Sequence, residues 1–488
     1  MLDLVIVNVP YMFINNPPLA GAVLKSCVEE QGFNAKSMDY NIDFVNHPVA
    51  TNDIVLWLQK EDSPPQAENY INFKNWVKEC AKEILSQQAR WIGISIFTKD
   101  SQLACEEFVV ALKDLDPNCQ IVLGGMGQED RRNQWGARWI DLMWNSGIVD
   151  SVIAREAEKE VVELLKHDKK EFVQAPQLTV EELDNLPVPN FDDYNLDLYG
   201  DLDPYSTEET ISMPITGSKG CVRKCTFCNV ASFWPKYRQR NGHNIGKEII
   251  DLYNKYGINY FKFTDSLING SLKDFRLMNE YITDRMPNTI SYKGQFICRP
   301  ARHMPDRDYD LMRSAGCKLV QIGMESGSEA VRDHMGKKFT NSDIERTTYS
   351  LADQKIRQQW FIFVGYPTET DADFEETLAM VEKFGHLGKQ NLLNIIPTGT
   401  YMTLDNTPIT SPEMMHDLGI YMDDNKAWQT YHWASTKYPD NTFEVRADRF
   451  ERLVNLCKKL GVITEFENTV DKHLVIIKSA LSENVQVA

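Results

Sequence analysis

Three cysteines spaced by three and two residues, inside one short glycine-bounded stretch, constrain this chain more than any other feature. Residues 217–228 read Gly-Ser-Lys-Gly-Cys-Val-Arg-Lys-Cys-Thr-Phe-Cys and directly follow a short apolar run at 211–216. An apolar run that ends in glycine predicts a strand entering a loop, and such a loop can bring three thiolates onto one inorganic centre. We therefore expect Cys221, Cys225 and Cys228 to hold a cofactor.

The spacing favours an iron–sulfur cluster over a zinc ion. Structural zinc sites normally close all four positions with two separated ligand pairs, and the sequence has no second Cys-x-x-Cys and no His-x-x-x-His. A four-iron cluster held by three cysteines leaves one iron for a substrate or cosubstrate, which suits reaction chemistry. A zinc knuckle, or three unrelated buried thiols, is the alternative.

The motif Cys-x-x-x-Cys-x-x-Cys, with Phe227 before its last cysteine, resembles the signature of the radical S-adenosylmethionine (SAM) superfamily. The resemblance implies that the three cysteines hold a [4Fe-4S] cluster, that SAM chelates the fourth iron and that Phe227 packs near its adenine. It also implies that an electron, supplied by an external donor such as flavodoxin or ferredoxin, cleaves SAM to methionine and a 5′-deoxyadenosyl radical. That radical abstracts a hydrogen atom from the substrate.

Length and charge limit the other possibilities. A chain of 488 residues with 42% hydrophobic residues predicts two or three domains, each with its own core. The net charge of −18 argues against nucleic-acid or anionic-membrane partners. No apolar run approaches the roughly 18 residues of a membrane span, the first ten residues lack a secretory signal, and the other cysteines are scattered. We expect a cytoplasmic protein.

The first part of the chain alternates strand and helix patterns. Strands are predicted at 4–9, 35–38, 91–97, 120–123 and 148–154, and helices at 19–30, at 102–112 and from 158 to 165. This alternation predicts a doubly wound parallel sheet of the Rossmann-like α/β class, with a ligand crevice at the carboxyl ends of its strands. The charged and aromatic stretch 57–85 is interpreted as an insertion of two surface helices.

The order of motifs in this part resembles the cobalamin-binding domain of the class B radical SAM methylases. A proline-rich loop is followed by a strand with hydroxyl side chains, a Gly-Gly pair and a Glu-x-Glu. The resemblance covers residues 1–170 and implies a cobalamin cofactor. The implied cobalamin contacts are Ser95, Thr98, Gly124, Gly125 and Glu156.

Two departures from that family pattern bear on cobalamin. The Asp-x-His-x-x-Gly motif that supplies an axial histidine in some cobalamin proteins is absent, as it is in many class B members. Arg155 also stands where the family pattern Gly-Glu-x-Glu has its glycine. A sheet domain that keeps the fold but holds no corrin is the alternative.

After a proline-rich linker at 186–191, the strand and helix pattern repeats six times. Strands are predicted at 211–216, 260–263, 291–299, 319–324, 357–364 and 391–396. Six units predict the partial (β/α)6 barrel of the superfamily, with functional groups at the strand ends. The predicted domains are 1–185 (Rossmann-like), 186–205 (linker), 206–397 (barrel) and 398–488 (an α-rich C-terminal cap).

Five residues at these strand ends match the family pattern for binding SAM. Glu325 is implied to accept the ribose hydroxyls, or else it caps the following helix. Asp265 contacts the methionyl ammonium or caps its helix. Arg299 holds the SAM carboxylate or is an internal ion-pair partner. Gly365 and Pro367 shape the backbone beside the adenine or form a plain turn.

The C-terminal segment from residue 398 gives less information. It contains two helical patterns, at 446–460 and 470–480, and a set of aromatic residues that more often forms a core than a binding surface. In the family this segment covers the barrel mouth. The aromatic set is Tyr401, Tyr421, Trp428, Tyr431, His432 and Trp433.

Taken together, these patterns predict a cobalamin-dependent radical SAM enzyme that methylates an unactivated carbon of a small molecule or peptide. Two alternatives stay open. One is a radical SAM enzyme that cyclises or rearranges its substrate without methyl transfer, and the other is an iron–sulfur protein without catalytic activity.

Overall fold

The computed structural model describes residues 2–12, 16–60, 64–129, 138–202, 209–404, 406–422 and 433–463. The chain divides into two units, one comprising residues 1–202 and 209–214, the other residues 203–208 and 215–488.

The first unit is built on a six-stranded sheet in the order β2-β1-β3-β4-β5-β6, in which all neighbouring strands run parallel. The predicted parallel α/β sheet is thus confirmed. The last strand was not foreseen, because it has three residues and none of them is buried. The strands are β1 (Leu4–Asn8), β2 (Ala35–Asp39), β3 (Trp91–Ser95), β4 (Ile121–Gly124), β5 (Ser151–Ala154) and β6 (Phe172–Gln174).

Helices cover both faces of this sheet. Val5 and Val7 of β1 belong to one hydrophobic cluster, whereas Leu4 and Ile6 belong to another, because successive side chains of a strand point to opposite faces. The helices are α1 (Leu19–Glu30), α2 (Tyr40–Val45), α3 (Asn52–Lys60), α4 (Ala67–Ser86), α5 (Gln102–Leu115), α6 (Trp139–Asn145), α7 (Glu160–His167) and α8 (Val180–Asp184).

The stretch interpreted as two surface helices forms α3 and α4, but α4 is also part of the core. It buries Phe73, Val77, Ala81 and Ile84, which form one stripe at helical spacing. The charged residues on the other side of α4 hide this stripe in the sequence.

The second unit is built on another six-stranded sheet, in the order β16-β15-β14-β13-β12-β9, with parallel pairs from β12 to β16. The predicted six-stranded partial barrel is confirmed. Antiparallel pairs form between β10 and β11 and between β17 and β18 of this unit, whereas the antiparallel pair of β7 and β8 belongs to the first unit. The strands from residue 201 onward are β7 (Asp201–Leu202), β8 (Glu209–Thr210), β9 (Met213–Ile215), β10 (Ser218–Lys219), β11 (Arg238–Gln239), β12 (Tyr260–Phe263), β13 (Ser291–Phe296), β14 (Cys317–Glu325), β15 (Arg357–Val364), β16 (Leu393–Thr400), β17 (Ile420–Met422) and β18 (Trp433–Ser435).

Nine helices accompany these strands in the described part of the second unit. The two helices between β14 and β15, α13 and α14, were not foreseen in the sequence. The helices are α9 (Val230–Phe233), α10 (Gly242–Tyr256), α11 (Leu272–Arg285), α12 (Asp306–Ser314), α13 (Glu329–His334), α14 (Asn341–Asp353), α15 (Asp371–Phe384), α16 (Pro412–Leu418) and α17 (Phe443–Leu460).

The C-terminal segment of the described chain contains α16, the β17–β18 pair and α17. The helix predicted at 470–480, together with Trp428, Tyr431 and His432, lies outside the described residues. Among the helices that are described, none combines the length and the apolar character needed to cross a membrane.

Candidate active site

The cysteine loop, which we define as residues 217–228, follows β9, and Asp265 anchors its first half. Asp265 follows β12, and its carboxylate accepts hydrogen bonds from the Gly217 amide (2.8 Å) and the Ser218 hydroxyl (2.6 Å). Burial raises the pKa of this carboxyl to about 6, while the bonds from Ser218 and Gly217 oppose the shift. The Asp265 side chain therefore positions the start of the cysteine loop through the Gly217 amide and the Ser218 hydroxyl.

Gly220 makes the turn that precedes the first cysteine. Its φ is 85°, and a β-carbon at this position would lie 2.7 Å from the Lys236 carbonyl oxygen. A residue with a side chain would meet both a strained backbone and a steric clash. The turn therefore requires glycine.

The second half of the loop is anchored by neighbouring segments of the same unit. The Thr226 amide donates to the Met335 carbonyl oxygen (3.0 Å), and the Thr226 hydroxyl is 2.9 Å from the Tyr366 hydroxyl. The Phe227 ring packs edge-on against Phe363, with 5.3 Å between ring centroids. Phe227, expected beside the adenine, thus lies between the loop and β15.

The three thiols are half-buried and within electrostatic reach of one another. Burial raises the pKa of Cys225 to about 11, whereas the Lys337 charge lowers it. Among the described residues, no set of three or more His, Cys, Asp or Glu side chains is arranged to bind a single metal ion. In an iron–sulfur cluster each thiolate binds a different iron, and three cysteines on one anchored loop fit that donor set.

Lys337 and Glu325 form a buried ion pair beside these thiols. Glu325 ends β14 with a φ of 64°, and its Oε1 is 2.7 Å from Lys337 Nζ. Burial alone would lower the pKa of the Lys337 ammonium, but Glu325 and Cys225 together raise it above its usual value. Sequence reasoning missed Lys337, since its only signal is a basic pair directly after Gly336.

Two arginines near the first cysteine present buried donors. Arg299 donates to the carbonyl oxygens of Asn269 (2.9 Å) and Gly270 (3.1 Å). Its Nε and that of Arg223 are buried and have no hydrogen-bond partner in the described part of the chain. Burial lowers the pKa of Arg299, and the Arg223 charge lowers it further. Such a pair of guanidinium groups fits a carboxylate, such as that of SAM.

Gly365 and Pro367 lie where β15 meets the C-terminal segment. Gly365 has a φ of 81°, and a β-carbon there would clash with the Arg446 side chain. Asn441 Nδ2 donates to the Tyr366 carbonyl oxygen at 2.9 Å and lies 3.5 Å from that of Pro367. The structure thus brings Gly365 against α17 and Pro367 against Asn441, two residues before that helix.

Aromatic side chains join the cysteine loop to the C-terminal segment. We call Phe363, Tyr366, Tyr401 and Trp433 the aromatic wall, because the ring centroid of Tyr401 lies 5.5–5.7 Å from those of the other three. Phe227 packs against this cluster. The C-terminal aromatic residues of the wall are buried core, as expected, whereas Tyr421 is 54% exposed.

In the first unit, the structure brings four of the five expected cobalamin contacts to one edge of the sheet. Ser95 and Gly124 are register partners at the carboxyl ends of β3 and β4. Gly125 has a φ of 101°, and a β-carbon there would clash with the Ile96 backbone. Thr98 follows on the next loop. In a sheet of order 2-1-3-4-5, the strand order reverses between β1 and β3, which is where such folds bind ligands.

Glu156, the fifth expected contact, follows β5. Its carboxylate is buried and accepts a hydrogen bond from the Leu178 amide at 2.6 Å, so it supports the chain after β6. Arg155, which replaces the glycine of the family pattern, has a φ of 76°. The chain thus keeps a conformation that favours glycine although the residue is an arginine.

Residues 215–381 match the family model of the Radical SAM superfamily. The matched range begins at the end of β9, contains the three cysteines and ends within α15. The likeness to the radical SAM superfamily is therefore carried by this domain.

Two solved structures share the fold over most of the chain. The radical SAM methyltransferase TsrM from Kitasatospora setae, with tryptophan and a SAM analogue bound, aligns with a TM-score of 0.64 and 16% identity, covering 90% of this chain and 82% of TsrM. The cobalamin-dependent SAM radical enzyme OxsB, with aqua-cobalamin bound, aligns with a TM-score of 0.65 and 14% identity, covering 93% of this chain and 67% of OxsB.

Among curated relatives, cytidylyl-2-hydroxyethylphosphonate methyltransferase of Streptomyces wedmorensis is 27% identical over 201 residues. This alignment covers 40% of this chain and 36% of the relative. The chain spans between 36% and 58% of the length of the first three curated relatives that it matches.

Proposed function

We propose that this chain is a cobalamin-dependent radical SAM enzyme that methylates an unactivated carbon of a small-molecule or peptide substrate. The observation that carries the proposal is the anchored cysteine loop, which lies beside the Glu325–Lys337 pair at the carboxyl edge of the barrel sheet. The domain match supports the radical chemistry, and the methyltransferases among the similar proteins support the outcome.

The residues of the site have separate tasks in this proposal. When bound, the [4Fe-4S] cluster, SAM and methylcobalamin supply an electron, a 5′-deoxyadenosyl radical and a methyl group. Cys221, Cys225 and Cys228 bind the irons, Arg223 and Arg299 donate to the SAM carboxylate, and Glu325 accepts from the ribose hydroxyls. The half-buried ring of Phe227 helps to exclude water from the radical.

The cobalamin part of the proposal is supported by the first unit. Ser95, Gly124 and Gly125 lie at the carboxyl ends of β3 and β4, next to the switch point between β1 and β3 where such folds bind ligands. The likeness to OxsB, solved with aqua-cobalamin, adds to this support.

We further propose that an external donor such as flavodoxin or ferredoxin reduces the cluster, and that the reaction takes place in the cytoplasm. The scattered cysteines outside the loop suit a reducing compartment.

An anaerobic reconstitution tests the proposal. The protein is loaded with iron and sulfide and titrated with hydroxocobalamin while the corrin absorbance is followed. It is then reduced with dithionite in the presence of SAM while 5′-deoxyadenosine is measured. We expect stoichiometric cobalamin and SAM cleavage. SAM cleavage without cobalamin binding would point to radical cyclisation or rearrangement, and the absence of SAM cleavage would point to a non-catalytic iron–sulfur protein.

A further inference from the structure

Four side-chain amides lie side by side across the barrel sheet. Gln295, Gln321, Gln359 and Asn394 are consecutive register partners on β13, β14, β15 and β16, and we call them the amide row. Gln295 Nε2 donates to Gln321 Oε1 (3.3 Å), and Gln321 Nε2 donates to Gln359 Oε1 (2.6 Å). The first three amides thus form a chain in which each of the two donors bonds to the next strand toward β16.

The amide row shares a face of the sheet with the cysteine loop. Trp360 packs against Phe384 of α15, with 5.4 Å between ring centroids, so this position of β15 faces the helices. Because side chains alternate along a strand, Gln359 and Phe363 face the other side. Phe363 is the residue that contacts Phe227 of the cysteine loop.

The chain of hydrogen bonds does not reach Asn394. Gln359 Nε2, Asn394 Nδ2 and Asn394 Oδ1 are buried and have no hydrogen-bond partner in the described part of the chain. The Asn394 side chain is fully buried, and Gln359 is 1% exposed. Native proteins pair nearly all buried polar groups, because an unpaired one loses its hydration without compensation. Three such atoms on neighbouring strands therefore need a partner from outside the sheet.

The chemistry of these atoms restricts that partner. Asn394 presents one acceptor and one donor group whichever way its amide is assigned, and Gln359 adds a second donor group. A carboxylate would satisfy the donors but would repel Asn394 Oδ1, and an ammonium would do the reverse. A neutral group with an acceptor next to an N–H on the same edge satisfies all three, as in a primary carboxamide or the lactam edge of a heterocycle.

We propose that the amide row binds an amide-type group of the substrate, an inference that rests on the proposed function. Gln321 lies on the same strand as Glu325, whose carboxylate turns back over Gly323, two residues from Gln321. The substrate therefore has its amide group at the row and its reacting carbon toward the cysteine loop. Gln295 and Gln321 are only half-buried, so the row can be reached from their side.

A pair of matched probes tests this inference on the reconstituted full-length protein. 2-Pyrrolidone is a lactam with its N–H beside its carbonyl oxygen, whereas the ester γ-butyrolactone has nearly the same shape but no N–H. Saturation-transfer NMR should show saturable binding of the amide and at least tenfold weaker binding of the ester. In Asn394→Leu, binding of the amide should fall at least tenfold, and urea unfolding should show a fold no less stable, because two unpaired buried atoms have been removed.

Gln358→Leu is the matched control, since Gln358 precedes the row on β15, faces the helices and donates to the Thr348 carbonyl oxygen. It should leave binding of the amide unchanged. Equal binding of both probes, or unchanged binding of the amide by Asn394→Leu, would overturn the inference and indicate that buried water pairs these atoms. Formation of 5′-deoxyadenosine in the same samples separates this outcome from a failure of the proposed radical chemistry.

Discussion

Lys337 Nζ lies 2.7 Å from Glu325 Oε1 and 3.0 Å from the Gly323 carbonyl oxygen, so the cation binds two groups at the end of β14. The two side chains are 12% and 11% exposed. Lys337 also lies 5.6 Å from the centre of the Phe227 ring. One ammonium group therefore connects the strand end, the loop and the carboxylate that we assign to the ribose.

Replacing Lys337 by methionine should weaken SAM binding, because Glu325 would lose its partner and its fixed orientation. A hydrogen bond to a charged group contributes about 1.5–3 kcal/mol, so the dissociation constant should rise on the order of tenfold to a hundredfold. Calorimetric titration of the reconstituted protein with SAM measures it. Lys338→Met, at the exposed neighbouring position, should bind SAM normally; equal losses in both variants would contradict a specific role for Lys337.

Replacing any one of Cys221, Cys225 and Cys228 by alanine should remove the cluster, because each thiolate is expected to hold its own iron. The charge-transfer absorbance of the reconstituted protein and its iron content per chain should both fall to a small fraction of the parent values. Cys119→Ala changes a half-buried thiol of the first unit and should keep the full iron content. Retention of four irons per chain in a loop variant would show that the cluster lies elsewhere.

Gly125→Ala should lower cobalamin affinity by at least tenfold, since its β-carbon would displace the Ile96 backbone at the expected site. Gly147→Ala is the control, because Gly147 also has a positive φ (72°) but no neighbouring atom within 4 Å of the added carbon. Both variants carry a backbone cost of about 1 kcal/mol, so only the clash differs. Corrin absorbance measures binding, and identical titrations would argue against cobalamin at this edge.

The stability of the first unit should fall as pH rises from about 4 to about 6, because of Asp39. Burial raises the pKa of Asp39 to about 6, although the Tyr199 hydroxyl (2.6 Å) and the Asn41 amide (3.0 Å) oppose the shift. The folded state therefore holds a proton that the unfolded state releases. A shift of about two pKa units corresponds to up to about 3 kcal/mol, present below pH 4 and lost above pH 6.

Urea unfolding between pH 4 and 7 measures the slope of the unfolding free energy against pH. Asp39→Asn should flatten it, because an amide does not titrate. Asp53→Asn should not, since hydrogen bonds from Thr51 and Asn69 lower the pKa of Asp53 to about 2, outside this range. A slope that survives in Asp39→Asn would assign the effect to other carboxyl groups.

The sequence predicted both sheets because apolar periodicity is local, and it predicted the cysteine loop because its spacing is local too. Lys337 was missed because it meets Glu325 only after α13 brings the chain back toward the strand end. Thr226 and Tyr366 were missed for the same reason, since 140 residues separate the two hydroxyls. Partners that lie far apart in the chain leave no pattern in a single sequence.

Residues with two possible roles were also beyond sequence reasoning. The interpretation of Asp265 left open a contact to SAM or a helix cap, and the structure shows both carboxylate oxygens bonded to the start of the cysteine loop. Glu156 was expected at cobalamin, and its carboxylate supports the Leu178 amide. In both cases a carboxylate at a strand end has the same sequence signature whether it binds a ligand or the backbone.

The aromatic wall has a consequence for how such enzymes diversify. Tyr401 and Trp433 come from the C-terminal segment, which we propose to contact the substrate, yet they share one core with Phe363 and Tyr366, against which the cysteine loop packs. Substitutions at these buried positions that suit a new substrate would also disturb the core against which the cysteine loop packs. Residues of the C-terminal segment and of the loop's packing surface must therefore change together. Exposed positions such as Tyr421 are not part of this core, so we expect sequence differences between related enzymes to concentrate there.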